Sequence, residues 1–253
     1  MTSPHRGRQI PAHVCAALFA AAIVLGFAIS VAGQSTSPQQ SDAYSKAYGG
    51  WERRPLEKAR KSGKLVFQSD FSSAGLAHDW TADGAAVEPR NGGALIALSP
   101  ARAAAGRKYG VLWSRIAFAQ PLMIEAEFTF DPSTLHDANI FWGQKQPAAD
   151  ELGKDQDCFI LSCFGWGGRG CGFESAKGGA YGITAAVAPQ AKKRYSGIWI
   201  IDGSVQCLYL DGVLLVYTQS PSSPPASGLL GLSVFQSSVE FHSIKVYALG
   251  REP

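Results

Sequence analysis

The stretch LMIEAEFTF, Leu122 to Phe130, alternates strictly. Leu122, Ile124, Ala126, Phe128 and Phe130 share one side, and Met123, Glu125, Glu127 and Thr129 share the other. A period of two belongs to a half-buried β-strand, whose successive side chains point to opposite faces of a sheet. An apolar face of this kind has to be covered by a second layer of structure.

Outward from this strand the chain keeps the same character. KLVFQSDF (64–71) and YGVLWSRIAF (109–118) precede it, and AAVEPRNGGALIALSP (85–100) reads as two short strands joined through PRNGG. After it come ANIFWGQ (138–144), DCFILSCF (157–164), YGITAAV (181–187), YSGIWII (195–201), VQCLYLDG (205–212), VLLVYTQ (213–219), GLLGLSVF (228–235) and VEFHSIKVYAL (239–249). Asp202-Gly203 and Asp211-Gly212 are hairpin turn signals, because glycine supplies positive φ at no steric cost, and they read as turns rather than calcium ligands. Many strands without interleaved helices define an all-β sandwich or barrel. One short helix is expected in the segment YSKAYGGWERRPLEKARKSGK, with Pro55 at an early helical position and Gly63 at its end.

The N-terminus differs from the rest. Arg6 and Arg8 precede VCAALFAAAIVLGFAISVAG, and no acid appears before Asp42. A basic start, an apolar run and small residues up to Gly33 form a signal segment, with an uncleaved membrane anchor as the alternative. Residues 34–63 then form a Ser/Gln-rich tether and the short helix, and residues 64–253 the β domain. Export to the periplasm, the outer surface or the medium follows. Arg6 and Arg8 account for two of the 23 Lys and Arg, against 20 Asp and Glu. The remaining domain is therefore nearly neutral, which argues against a nucleic-acid partner. No cofactor or metal is expected: His78, His136 and His242 are scattered, the cysteine spacing fits no zinc site, and neither GxSxG nor CxxC occurs.

Two blocks carry a family resemblance. The opening LVFQSDFSSAGLAHDWTADGAAVEPRNGGALIA and the closing YLDGVLLVYTQSPSSPPASGLLGLSVFQSSVEFHSIKVYAL resemble the concanavalin A-like lectin/glucanase superfamily. Within it they are similar to the 3-keto-disaccharide hydrolase type domains of secreted bacterial proteins. The resemblance covers roughly Lys64 to Leu249 and rests on strand and turn residues. It implies a jelly-roll of two antiparallel sheets, one of them concave and often glycan-binding. Many members bind glycans and some hydrolyse glycosides.

Candidate site residues follow. Glu125 and Glu127 point the same way on one strand, as a glycosidase carboxylate pair must. The laminarinase-like members of the superfamily carry three acids on such a strand; here the third position is Thr129, and a solvent-facing strand face is the favoured reading. Asn139, Ile140 and Phe141 in ANIFWGQ resemble the N-S-G-I strand of the resembled domains without its Ser-Gly pair, which makes Asn139 a candidate ligand-binding residue. Trp142 with Gln144 is either a sugar platform, with the ring covering a pyranose and the amide reading hydroxyls, or core plus a strand end. Glu174 in GCGFE matches a G-Y-E of the resembled domains and is a candidate general base. Trp166 and Arg169, in the glycine-rich FGWGGRG, are candidate ligand-binding residues, with Arg169 either pairing with Glu174 or holding an anionic sugar. In an oxidising compartment Cys158, Cys163, Cys171 and Cys207 suggest disulfides. Cys158 and Cys163 are an odd number apart and face opposite sides, so Cys163–Cys171 and Cys158–Cys207 are the expected pairs. The functional expectation is an exported carbohydrate-binding sandwich, possessing hydrolase activity if the acids are catalytic. The alternative is a non-catalytic envelope interaction module without sugar specificity. Oligomeric state is left open.

Overall fold

The computed structural model describes residues 54–90, 92–143, 158–175, 179–185 and 188–250. The expected signal segment (1–33), the tether up to residue 53 and Gln144 lie outside them. Among the described residues, fifteen strands build two antiparallel sheets. In chain order they are β1 (Lys64–Ser69), β2 (Trp80–Asp83), β3 (Ala85–Arg90), β4 (Gly93–Leu98), β5 (Tyr109–Ala119), β6 (Leu122–Phe130), β7 (Ala138–Gly143) and β8 (Cys158–Phe164). They continue with β9 (Gly170–Ser175), β10 (Gly179–Ala185), β11 (Arg194–Asp202), β12 (Val205–Leu210), β13 (Val213–Gln219), β14 (Ser227–Phe235) and β15 (Ser238–Ala248). Helices α1 (Arg54–Ser62), α2 (Ser73–Asp79) and α3 (Pro100–Ala104) are short.

The first sheet has eight strands in the order β13-β12-β11-β6-β15-β4-β3, with β1 also pairing β15. The second has seven, in the order β10-β9-β8-β7-β14-β5-β2. Sequence neighbours β6 and β7 lie in different sheets, as do β14 and β15, so the chain crosses repeatedly between layers. This is the two-sheet jelly-roll sandwich. The segments that alternate or run apolar in the sequence became strands. β2 was not among them, since Trp80–Asp83 is too short to show a period.

The inner faces form one core. β6 contributes Leu122, Ile124, Ala126, Phe128 and Phe130, and across from them lie Ile140 and Trp142 of β7, Leu161 and Cys163 of β8, and Leu230, Leu232 and Val234 of β14. Phe128 packs edge-on to Phe130 and stacks with Tyr195. The Trp142 indole is completely buried here. Of its two readings, core is the one that holds: the side chain points between the sheets and offers no face to a ligand, which corrects the platform assignment.

Each outer face has its own apolar patch. On the eight-stranded sheet, Met123, Ile198, Ile200, Cys207 and Tyr209 are covered by Leu56 and Ala59 of α1. The helix ends as Gly63 donates its backbone N–H to Ala59 O at 2.8 Å. Beside this patch Glu125 accepts from Tyr247 Oη at 3.2 Å, and Glu127 pairs with Arg194 at 2.9 Å. On the seven-stranded sheet, Val111, Trp113, Phe141, Cys158 and Ile160 pack together. The Trp113 ring lies over Gly231, where a Cβ would sit 2.9 Å from it, so only glycine allows the ring to lie flat on β14.

This layout corrects the disulfide expectation. All four described cysteines are free and buried. Cys158 lies in the outer patch of one sheet and Cys207 in the outer patch of the other, with the whole core between them. They cannot meet. Cys163 and Cys171 do meet inside the core, but as hydrogen-bonded thiols, and burial pushes the Cys163 thiol well above its ordinary value. The odd spacing of Cys158 and Cys163 does place them on opposite faces of β8, as alternation demands.

Two outcomes follow from the packing. Phe128→Ala should lower the unfolding free energy by about 3–5 kcal/mol, because a fully buried ring leaves a cavity. Glu127→Gln should cost about 0–1 kcal/mol, since its ion pair is half exposed. Urea denaturation reads both. Mass spectrometry after denaturing alkylation should find Cys158, Cys163, Cys171 and Cys207 each modified without reduction, whereas a Cys163–Cys171 or Cys158–Cys207 cross-link would contradict this packing.

Candidate functional site

Adjacent strands of the seven-stranded sheet place their outward residues in rows. One row runs Trp113, Gly231, Phe141, Ile160, Glu174 across β5, β14, β7, β8 and β9. The next runs Val111, Ser233, Asn139, Ser162, Gly172. The first is almost wholly apolar until it reaches Glu174. The second carries three polar side chains on a face that is otherwise closed by aromatic rings.

A cleft of about 160 Å³ opens over the second row. Asn139 and Ser162 form its floor, with Ile160 and Glu174 on one side, Tyr109 and Phe235 on another, and Asp137 with Gly165, Trp166 and Gly167 on a third. Tyr109 and Phe235 face each other across β5 and β14 with ring centroids 4.8 Å apart. The floor is under-satisfied. Asn139 Oδ1 and Ser162 Oγ are buried without a hydrogen-bond partner, as is Ser233 Oγ next to Asn139 in the same row. Asn139 Nδ2 reaches Asp137 Oδ1 only at 3.5 Å. Buried polar atoms are almost always paired in folded proteins, so a cluster without partners points to a role beyond packing.

The rim is built from strained backbone. Phe164, Trp166, Gly167 and Gly168 all have positive φ, between 54° and 81°. The left-handed conformation of Phe164 breaks the alternation of β8: a residue due to point outward turns instead into the core, edge-on to Phe130 and Tyr195. Trp166 is thereby carried to the outer rim, where it is 38% exposed. Its ring lies against Gly170, and Arg169 donates its backbone N–H to Gly165 O at 3.0 Å to close the turn. Gly165 has no alternative, because a Cβ there would collide with Ser162 Oγ. Asp137 is left-handed too. A non-glycine residue in this region costs about 1–2 kcal/mol, and such strain gathers at functional sites.

The cleft is acidic. Asp137 and Glu174 both have their carboxyls raised above the usual range, chiefly by burial; for Glu174 the Asp137 charge adds to it, and for Asp137 a 2.7 Å contact from His136 Nδ1 partly offsets it. Burial, with these two charges and Cys158 as smaller contributions, pushes the Tyr109 phenol up to about 12, so it remains a neutral hydrogen-bond donor.

Of the residues singled out in the sequence, Asn139, Trp166 and Glu174 line this cleft. Arg169 is exposed on the same turn, outside the lining. Gln144 lies outside the described residues. Glu125 and Glu127 are on the opposite outer face of the sandwich, engaged with Tyr247, Arg60, Arg194 and Ser243. They and Glu174 cannot act on one substrate, which corrects their grouping as a set of acids. Tyr109, Asp137, Ser162 and Phe235 were not anticipated. The alternation of GLLGLSVF and DCFILSCF could have put Ser233 and Ser162 on one face, but nothing local in the sequence says the two strands are neighbours of β7.

No protein-family model and no curated protein matches the sequence. Solved structures do match in fold. A protein of unknown function with a galectin-like fold from Bacillus subtilis is 11% identical, with 76% of this chain and 99% of that chain covered and a TM-score of 0.63. The VIP36 exoplasmic/lumenal domain, in a Ca²⁺/Man-bound form, is 11% identical over 75% and 93% at 0.54. The GlcNAcα1-4Gal releasing endo-β-galactosidase from Clostridium perfringens is 11% identical over 74% of this chain and 63% of its own length, also at 0.54. The likeness is one of fold, a sandwich of two antiparallel sheets.

The raised carboxyl of Glu174 has a consequence for stability. Native Glu174 holds its proton more tightly than the unfolded chain does, so stability falls as pH rises from the ordinary carboxylate range through the raised native value. Glu174→Gln removes that loss. Its melting temperature should exceed that of the unmodified protein at pH 7, and the gain should vanish near about pH 4, where the carboxyl is largely neutral in both states. Thermal melts across pH check this.

Proposed function

We propose that this domain binds carbohydrate in the cleft over Asn139 and Ser162. The observation that carries the reading is the union of buried, unpartnered polar atoms on the floor with aromatic rings on the walls. A sugar ring presents just that pair of demands: apolar C–H faces that pack on aromatic rings, and hydroxyls that donate and accept hydrogen bonds. Trp166, Tyr109 and Phe235 supply the rings; Asn139 Oδ1, Ser162 Oγ, Asp137 and Glu174 supply the hydrogen-bonding groups. The volume is below the roughly 300–1,000 Å³ of pockets that enclose drug-sized ligands, which suits one sugar ring rather than a length of chain. The Ca²⁺/Man-bound form of the VIP36 domain, which is similar in fold, supports a saccharide as the class of ligand, and the basic-then-apolar start of the chain supports its export.

A second reading has an observation of its own. Two carboxylates with raised values share the cleft, and glycoside hydrolysis uses one carboxyl as acid and another as base or nucleophile. In that reading Glu174, which has no hydrogen-bond partner among the described residues, is the proton donor and Asp137, held by His136, is its counterpart. The 3-keto-disaccharide type of substrate implied by the sequence resemblance belongs to this reading. The interaction-module alternative fits the rest of the sheet better than the cleft, since Trp113, Phe141 and Ile160 fill the neighbouring row.

A glycan array followed by calorimetry tests the proposal. At least one saccharide class should bind, and Trp166→Ala should weaken that binding by about tenfold or more, equivalent to about 1.4 kcal/mol, with the melting temperature little changed. A chain that binds no saccharide, or binds equally without the Trp166 ring, would count against the site. Release of reducing sugar that disappears in Glu174→Gln would select the hydrolytic reading.

A further inference from the structure

We infer that the sugar recognised in this cleft carries a positive charge, as an aminated sugar residue does. The inference rests on the carbohydrate reading above and names its ligand class. The first ground is the balance of hydrogen-bonding groups. Acceptors dominate: Glu174 has no described donor on its carboxylate, Asp137 Oδ1 has only the 3.5 Å contact from Asn139, and Asn139 Oδ1 has none. The side-chain donors in the lining that have no described partner are the Tyr109 and Ser162 hydroxyls and the Trp166 indole N–H. A sugar hydroxyl brings one proton and two lone pairs, whereas an ammonium brings three protons and no lone pair. Three donors facing a surplus of acceptors satisfy this floor more fully than hydroxyls do, and hydrogen bonds between ionised partners are the stronger ones.

Charge and ring placement give the second ground. Two acids line the cleft, and no Lys or Arg lines it among the described residues. His136 is committed to Asp137 Oδ2 at 2.7 Å. Lys108 Nζ lies 5.8 Å from the Phe235 ring centroid, so that ring already accepts a cation on one face. Tyr109 and Trp166 have no cation among their described partners, and aromatic faces attract cations within about 6 Å. Asn139 is the observation that makes this more than an acidic patch: it is 3% exposed, lines the cleft and leaves its carbonyl oxygen unpaired.

Calorimetry on the full chain at neutral pH and low salt decides it. The probes are glucosamine and galactosamine oligomers, the same oligomers fully N-acetylated, and galacturonate oligomers. At least one amine-bearing oligomer should bind about tenfold or more tightly than its acetylated partner, and galacturonate should bind more weakly than either. Glu174→Gln should shrink the difference to about threefold or less; Asp137→Asn serves the same end if the first variant does not fold, with circular dichroism as the check. If neutral saccharides bind as tightly as the amines, or the preference survives both variants, the charge inference is overturned and the carbohydrate reading stands. If no saccharide of any charge binds, the carbohydrate reading itself has failed.

Discussion

A strand has two faces, and the packing of one sheet on the other uses up one face of each. That constraint sets everything else. Leu122, Ile124, Ala126, Phe128 and Phe130 are hidden in one core with the inward residues of the second sheet, among them those of β7, β8 and β14. With those faces turned inward, the outward side chains have no further choice. On β7 they are Asn139 and Phe141, on β8 Cys158, Ile160 and Ser162, and on β9 Glu174. The apolar members close over one another with Trp113 on Gly231, and the polar members are left as the floor of a cleft.

The fold was largely legible in the sequence because period-two patterning is a local signal. LMIEAEFTF reads as a strand whatever surrounds it, and the Asp-Gly pairs read as hairpins, with Gly203 and Gly212 at positive φ and Asp211 joining the second. The site was legible only in part. Glu174, Asn139 and Trp166 stood out as residue types, but which acids share a face depends on strand order, which is not local. Glu125 and Glu127 looked like a carboxylate pair by spacing alone and lie on the other side of the sandwich. Trp142 failed for a related reason: alternation says that it and Asn139 face opposite ways, and only the packing says which way is inward. Cys158 and Cys207 are likewise separated by topology rather than by sequence distance.

The turn at 164–168 links fold to site. Its left-handed residues turn one aromatic, Phe164, into the core and present another, Trp166, at the rim. The core contacts of Phe164 with Phe130 and Tyr195 offset the backbone strain that places Trp166. The acids of the cleft follow the same logic. Their burial disfavours the ionised form, and a ligand that donates hydrogen bonds to them would relieve what the free protein leaves unsatisfied. Stability given up in the floor and rim of the cleft is the physical basis for assigning it to recognition.

The most direct measurement is a chemical-shift titration of the side-chain amide of Asn139 with a saccharide that the chain binds. The account predicts saturable shifts at Asn139 Nδ2H₂ and at the Trp166 indole N–H, with the backbone amides of Glu125 and Glu127 unmoved. Shifts confined to the β6 face around Glu125 and Glu127, with Asn139 silent at saturation, would contradict it.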